Sequence, residues 1–147
     1  MCFNTRNLHN ELISMKASVK WIGDELFLGT SESGHSIILD ANDAQAPCPL
    51  EAVLISLGSC SSVDVVNILQ KSKQDINGCT VEISGTLVDN VPKLFSKIHL
   101  HFIITGLDIK EKHVARAVNF SANKYCSVAL MLNSKVDISH HFSIITE

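Results

Sequence analysis

The sequence predicts an α+β domain in which two long helices pack against an antiparallel sheet. Three observations carry this reading: period-two alternations come in runs, two longer stretches keep helical spacing, and the order along the chain is βββ, helix, ββ, helix, β. At 147 residues the chain is expected to form one domain and to bury roughly two thirds of its unfolded surface.

Residues 1–14 have no periodicity and read as a flexible N-terminal extension, leaving 15–147 as the domain proper. Ala17, Val19 and Trp21 then alternate with Lys16, Ser18 and Lys20, the pattern of a half-buried strand. Gly23-Asp24 turns the chain into a second strand with Leu26 and Leu28, and Ser33-Gly34 into a third with Ile37 and Leu39. Pro49 opens the central helix, at a position where a missing N–H costs nothing. From Ala52 to Leu69 that helix is apolar on nearly every face, which marks it as buried. Asn77-Gly78 is expected to close it before a fourth strand, Val81 to Leu87.

Ile98, Leu100, Phe102 and Ile104 form the inward face of a fifth strand, with His99 and His101 pointing outward. Asp108 and Glu111 have nearly the spacing of a capping box and open a second helix, predicted to run unbroken to Asn133. Val136, Ile138, His140, Phe142 and Ile144 share one face of a last strand. A single six-stranded sheet covers only one side of the central helix. Small residues there (Ser56, Gly58, Ser59, Ser62) leave a face that a homodimer would bury.

Composition excludes several function classes. A net charge of −3 with only two arginines, Arg6 and Arg116, provides no basic stripe for phosphates, so no nucleic acid partner is expected. The low-charge run from Ala52 to Val63 is short of the roughly 20 residues a bilayer demands, so it reads as a core helix and not a membrane anchor. Nothing resembles a secretion signal, which predicts a cytoplasmic protein. Its five cysteines are then expected as free thiols, and their spacing has no zinc pattern. Cys2, Cys48 and Cys79 belong to no motif.

Cys60 lies within the central helix and Cys126 within the second helical pattern, in the stretches PLEAVLISLGSC and KYCSVALML. These stretches resemble the two cysteine motifs of the OsmC/Ohr family, the osmotically inducible and organic hydroperoxide resistance proteins. Within it the chain is most similar to the YhfA-like branch, through GSCSSVDVVNILQKSKQD and LFSKIHLHFIITG. The likeness covers nearly everything from Met15 onward. It implies an OsmC-like fold, an intertwined homodimer with a buried central helix, and a peroxidase acting on small organic hydroperoxides. It also implies that Cys60 is the peroxidatic thiol and Cys126 the resolving one. Such a pair passes through a sulfenic acid to a disulfide, which an external dithiol reduces, and no bound cofactor is needed.

Two departures from the family's pattern bear on activity. No arginine lies between Met15 and Pro47, where His35, Lys16 and Lys20 are the only cations. The glutamate expected directly after the second proline is replaced by Leu50, with Glu51 one place later. That shift moves it from about 80° to roughly 180° round the helix from Cys60. Asp64, one turn after Cys60, would disfavour a thiolate there, and Lys124 or His35 are the candidate compensating cations. In the peroxidase reading Leu50, Leu57 and Leu132 would line an apolar pocket that admits alkyl chains; the alternative reading is a weakly active or inactive dimer that binds an apolar or thiol-bearing small molecule. His99 and His101, with His140 or His141, could offer imidazoles to a metal. An outward, solvated strand face has the same composition, so no metal site is predicted.

Overall fold

A computed structural model of the chain describes residues 14–146. Apart from Ser14, the expected N-terminal extension lies outside these residues. The chain divides into two compact units, with the boundary at Val53/Leu54 inside the central helix.

In the first unit, β1 (Ala17–Gly23), β2 (Leu26–Ser31) and β3 (Ser36–Asp40) form a three-stranded antiparallel meander. The first turn takes positive φ at Gly23 (120°) and Asp24 (44°), and the second at Gly34 (83°), as the turn residues predict. Beyond β3 the buried Asp40 carboxylate accepts backbone N–H groups from Asn42 (2.9 Å), Ala44 (3.2 Å) and Gln45 (2.9 Å). These bonds, that of Asn42 foremost, hold its pKa below the usual carboxylate value. The apolar face expected to be buried in β1 is open: Trp21 is 64% exposed and Val19 70%.

The second unit holds the core. β4 (Asp75–Leu87) and β5 (Phe95–Leu107) pair antiparallel, and β6 (Asp137–Thr146) lies parallel to β5 on its other side. The sheet is therefore three-stranded and mixed, where one antiparallel six-stranded sheet was expected. A parallel neighbour needs a crossover of a dozen or more residues. The helical segment between β5 and β6 supplies it, so the same helix that the periodicity reveals also lets β6 run in the direction of β5. As predicted, Ile98, Leu100, Phe102 and Ile104 are buried, together with Leu57, Val65 and Leu69 of α1 (Pro49–Lys71) and Val114, Ala117 and Val118 of α2 (Glu111–Phe120).

The central helix α1 differs from expectation in three respects. It has 23 residues, long and apolar enough by length and composition to cross a membrane, although Leu57, Gly58, Ser61, Val65 and Leu69 are buried within the unit. It is not buried on all sides, since Ile55 and Val63 are exposed. It ends at Lys71, not at Asn77-Gly78. Lys73 adopts the left-handed conformation (φ 56°) and donates to the Gln70 carbonyl, while the Gln74 N–H reaches back to Leu69, the paired bonds of a Schellman motif. Asn77-Gly78 instead forms an irregularity within β4, where the absent Cβ of Gly78 leaves room for the Thr105 side chain. Gly58 is a packing residue, because a Cβ there would run into Ile83 of β4.

The second helix is interrupted. After α2 the chain makes a π-helical turn over Ser121–Tyr125 and restarts as α3 (Ser127–Leu132). The capping box does not form. Lys110 occupies the N-cap with no side-chain cap, and Asp108, at φ 49°, pairs with the Lys110 ammonium at 2.6 Å.

Candidate functional site

The π-helical turn positions Cys126. Its backbone N–H donates to the Ser121 carbonyl, five residues back, at 2.9 Å, and its extended conformation makes it the N-cap of α3. The predicted placement inside a continuous helix is thus corrected. A widened turn of this type is frequent at functional sites.

The Cys126 thiol is fully buried between α1 and the start of α3. Its sulfur accepts from the Ser61 hydroxyl (3.2 Å) and the Ala129 N–H (3.4 Å), and its S–H faces the Leu57 carbonyl at 4.0 Å. Ser121, also buried, donates its hydroxyl to the Ser61 carbonyl (3.1 Å) and so ties the turn to α1. Burial pushes the Cys126 pKa up. The bonds from Ser61 and Ala129 act against this, and the neighbouring Cys60 thiol adds to the rise by hydrogen bonding and charge. The structure therefore places the half-buried Cys60 beside Cys126, although 66 residues separate them in sequence. Both are free thiols.

Asp64 stands on α1 one turn beyond Cys60. Burial raises its pKa, and its Oδ2 is enclosed without a hydrogen-bond partner. An acid whose folded pKa is raised binds protons more tightly folded than unfolded, so it lowers stability as pH rises. The loss begins as pH passes the unfolded value near 3.8 and is complete above the folded value. Asp64→Asn is accordingly expected to melt higher than the parent at pH 7 and to lose that advantage near pH 3, as thermal melts at the two pH values would register.

The remaining sequence candidates are engaged elsewhere. In the first unit, Glu51 accepts the Cys48 N–H at 2.9 Å and acts as a helix cap, and the His35 ring bonds the Ser33 hydroxyl at 3.1 Å within its turn. In the second, the Lys124 ammonium lies 5.5 Å from the centroid of the Tyr125 ring. Arg116 lies over Phe120 at 5.0 Å. Leu57 is fully buried and Leu132 half-buried, both packed in the core. Ser61 and Ser121 are the participants that sequence reading missed. Their only signal is a small hydroxyl residue at a helical core position, which is just as common in ordinary packing. Ser61→Ala removes a bond that favours the thiolate, so Cys126 should be alkylated more slowly at pH 8, by roughly 3- to 10-fold for the loss of one hydrogen bond. Peptide-resolved iodoacetamide labelling would measure it.

Comparison with known proteins places the chain in a family. The family described as OsmC-like protein matches residues 42–141. Protein YhfA of Escherichia coli K12 is 50% identical over 132 residues, covering 89% of this chain and 98% of the relative. A hypothetical protein from Aquifex aeolicus VF5 superimposes with a TM-score of 0.84 at 26% identity, over 92% of this chain and 99% of its own. The organic hydroperoxide resistance protein OsmC of Legionella pneumophila shares the fold at a TM-score of 0.68 and 17% identity, over 91% of this chain and 99% of its own. The family match over residues 42–141 and the 50% identical relative identify the chain as a member of the OsmC-like family.

Proposed function

We propose that this protein is a thiol peroxidase that reduces small organic hydroperoxides in oxidative stress defence. The observation that carries the reading is the Cys60 thiol beside the buried Cys126. The hydroperoxide resistance protein with the same fold supports it at the level of the scaffold.

The Cys60 thiolate attacks the terminal peroxide oxygen, and the O–O bond breaks. Cys60 becomes a sulfenic acid, and the alkoxide takes up a proton and leaves as the alcohol. The Cys126 thiol then attacks the Cys60 sulfur. An S–S bond forms as the S–O bond breaks, and the oxygen leaves as water. An external dithiol, oxidised in the exchange, restores both thiols through a mixed disulfide. No cofactor takes part in this sequence. The enclosed position of Cys126 favours this order, since a buried thiol meets a neighbouring sulfenic acid more readily than a peroxide in solution.

The active form in this reading is a cytoplasmic homodimer. Exposed apolar residues on β1 and α1, Val19, Trp21, Ile55 and Val63, are surfaces a second copy would cover. The four unpaired cysteines among the described residues fit a reducing compartment.

A second reading rests on a separate observation. Arg116, the one arginine among the described residues, is stacked on Phe120, and a carboxyl stands one turn from Cys60. A chain so equipped would hold an apolar or thiol-bearing small molecule in a catalytically weak site. Steady-state reduction of cumene hydroperoxide with dithiothreitol separates the two. Turnover that requires Cys60 supports the peroxidase. Saturable binding without turnover supports the second reading.

A further inference from the structure

The outward face of the β4–β5–β6 sheet carries a cluster that the thiol chemistry does not use. His99 and His101 project from the same face of β5, two residues apart, and His141 of β6 is the register partner of His101. His99 Nε2 lies 2.6 Å from His141 Nδ1, with ring centroids 4.8 Å apart and planes within 20°. A centroid separation close to the nitrogen separation plus two ring radii means that the rings meet edge to edge. The two nitrogens therefore face each other at hydrogen-bond distance. The His101 ring lies parallel to His141 at 4.0 Å. We propose that His99, His101 and His141 form a binding site for a divalent cation of the zinc class.

Two imidazole nitrogens on a tetrahedral zinc, each about 2.0–2.1 Å from the metal, stand roughly 3.3 Å apart. Metal binding turns both rings until their lone pairs converge on the ion, opening the His99–His141 pair from 2.6 Å to that bite, and the cation replaces the hydrogen bond that now joins them. Among the described residues no three donors already converge on one point. In the metal-free state His101 Nε2 bonds the Ser143 hydroxyl at 2.8 Å, and it turns toward the cation as the third ligand. The outer shell is present. His99 Nδ1 is held by the Ser139 hydroxyl at 2.7 Å, which frees Nε2 for the metal, and His101 Nδ1 faces Glu82 at 3.4 Å. His140, the register partner of the buried Leu100 on the opposite strand face, takes no part. A strand pair presenting His-x-His and a neighbouring-strand histidine from one face gives three nitrogen donors with solvent access for a fourth ligand.

The untagged full chain is titrated with Zn(II) by calorimetry, and with Co(II) by absorption, at pH 7.5 under reducing conditions. One ion per chain is expected, with visible Co(II) bands lacking the intense thiolate-to-metal transitions. His99→Ala and His141→Ala should each weaken binding by at least about 100-fold. Ser139→Ala should do so by about 10-fold, the lower end of the outer-shell range. His140→Ala and Cys60→Ser/Cys126→Ser should bind as the parent does. No binding at 100 μM metal, binding unchanged by His99→Ala and His141→Ala, or binding lost with the cysteines would each overturn the site. Circular dichroism of every variant establishes that folding is intact, and Ser139→Ala, which leaves every ring in place, tests the site even if a histidine variant fails to fold.

Discussion

One equivalent of cumene hydroperoxide added to the reduced protein, without reductant, is expected to convert Cys60 and Cys126 into a disulfide within seconds. Intact mass should fall by two hydrogens, and peptide mapping should join the two cysteine peptides. The expectation follows from adjacency: the thiols influence one another directly, and Cys126 is anchored by Ser61 and Ala129 facing α1. Cys60→Ser should lower hydroperoxide turnover by at least about 10³-fold, the scale of loss when a nucleophile is removed. Cys126→Ser should behave differently. Its Cys60 should still react once and then accumulate as sulfenic acid, trapped by dimedone and advancing to the sulfinic acid with excess peroxide. If neither thiol reacts faster than Cys79, whose pKa burial also raises, the peroxidase reading fails.

The largest structural effect is expected at Gly106, in the penultimate position of β5. Its φ of 155° lies at the edge of the region open to glycine, and a Cβ there would overlap the Asp75 carbonyl oxygen and come within 2.8 Å of Ile76 Cα. Both obstacles are backbone of the paired strand β4, which cannot swing aside as a side chain can. Backbone strain and overpacking together should cost Gly106→Ala about 4 kcal/mol of stability. Gly34→Ala is the natural comparison. That residue also has positive φ (83°), but its Cβ would meet nothing within 4 Å, so only the left-handed penalty of about 1 kcal/mol applies. Urea melts of the two variants would separate them, and equal losses would mean that β4 can yield at Gly106.

Much of the fold was legible because burial repeats with the period of the backbone. Alternation over Ile98–Ile104 named the buried strand face, and the all-apolar run after Pro49 named the central helix. The errors fell where no repeat exists. The end of α1 was set by a left-handed Lys73 with no glycine to announce it, and Asn77-Gly78, a strong turn signal, was absorbed by the ladder between β4 and β5. The π-helical turn left the apolar spacing of the second helix nearly intact, so periodicity could not reveal it.

The candidate site divides in the same way. Motif likeness singled out Cys60 and Cys126; Glu51, displaced by one position, and Asp64 were possible supporting groups, and His35 and Lys124 the candidate compensating cations. In the folded chain Glu51 caps a helix, His35 braces a turn and Lys124 lies over an aromatic ring, because each finds a closer local partner.

Sequence alone determined the class of the domain and the outward direction of His99 and His101, since these follow from residue type and local period. Tertiary structure alone decided that β6 runs parallel to β5, that Ser61 and Ser121 bind the turn carrying Cys126 to α1, and that His141 and not His140 joins the histidine face. Those are contacts between residues 40 to 65 positions apart. Register and packing fix such contacts only when the whole core forms, and no local pattern encodes them.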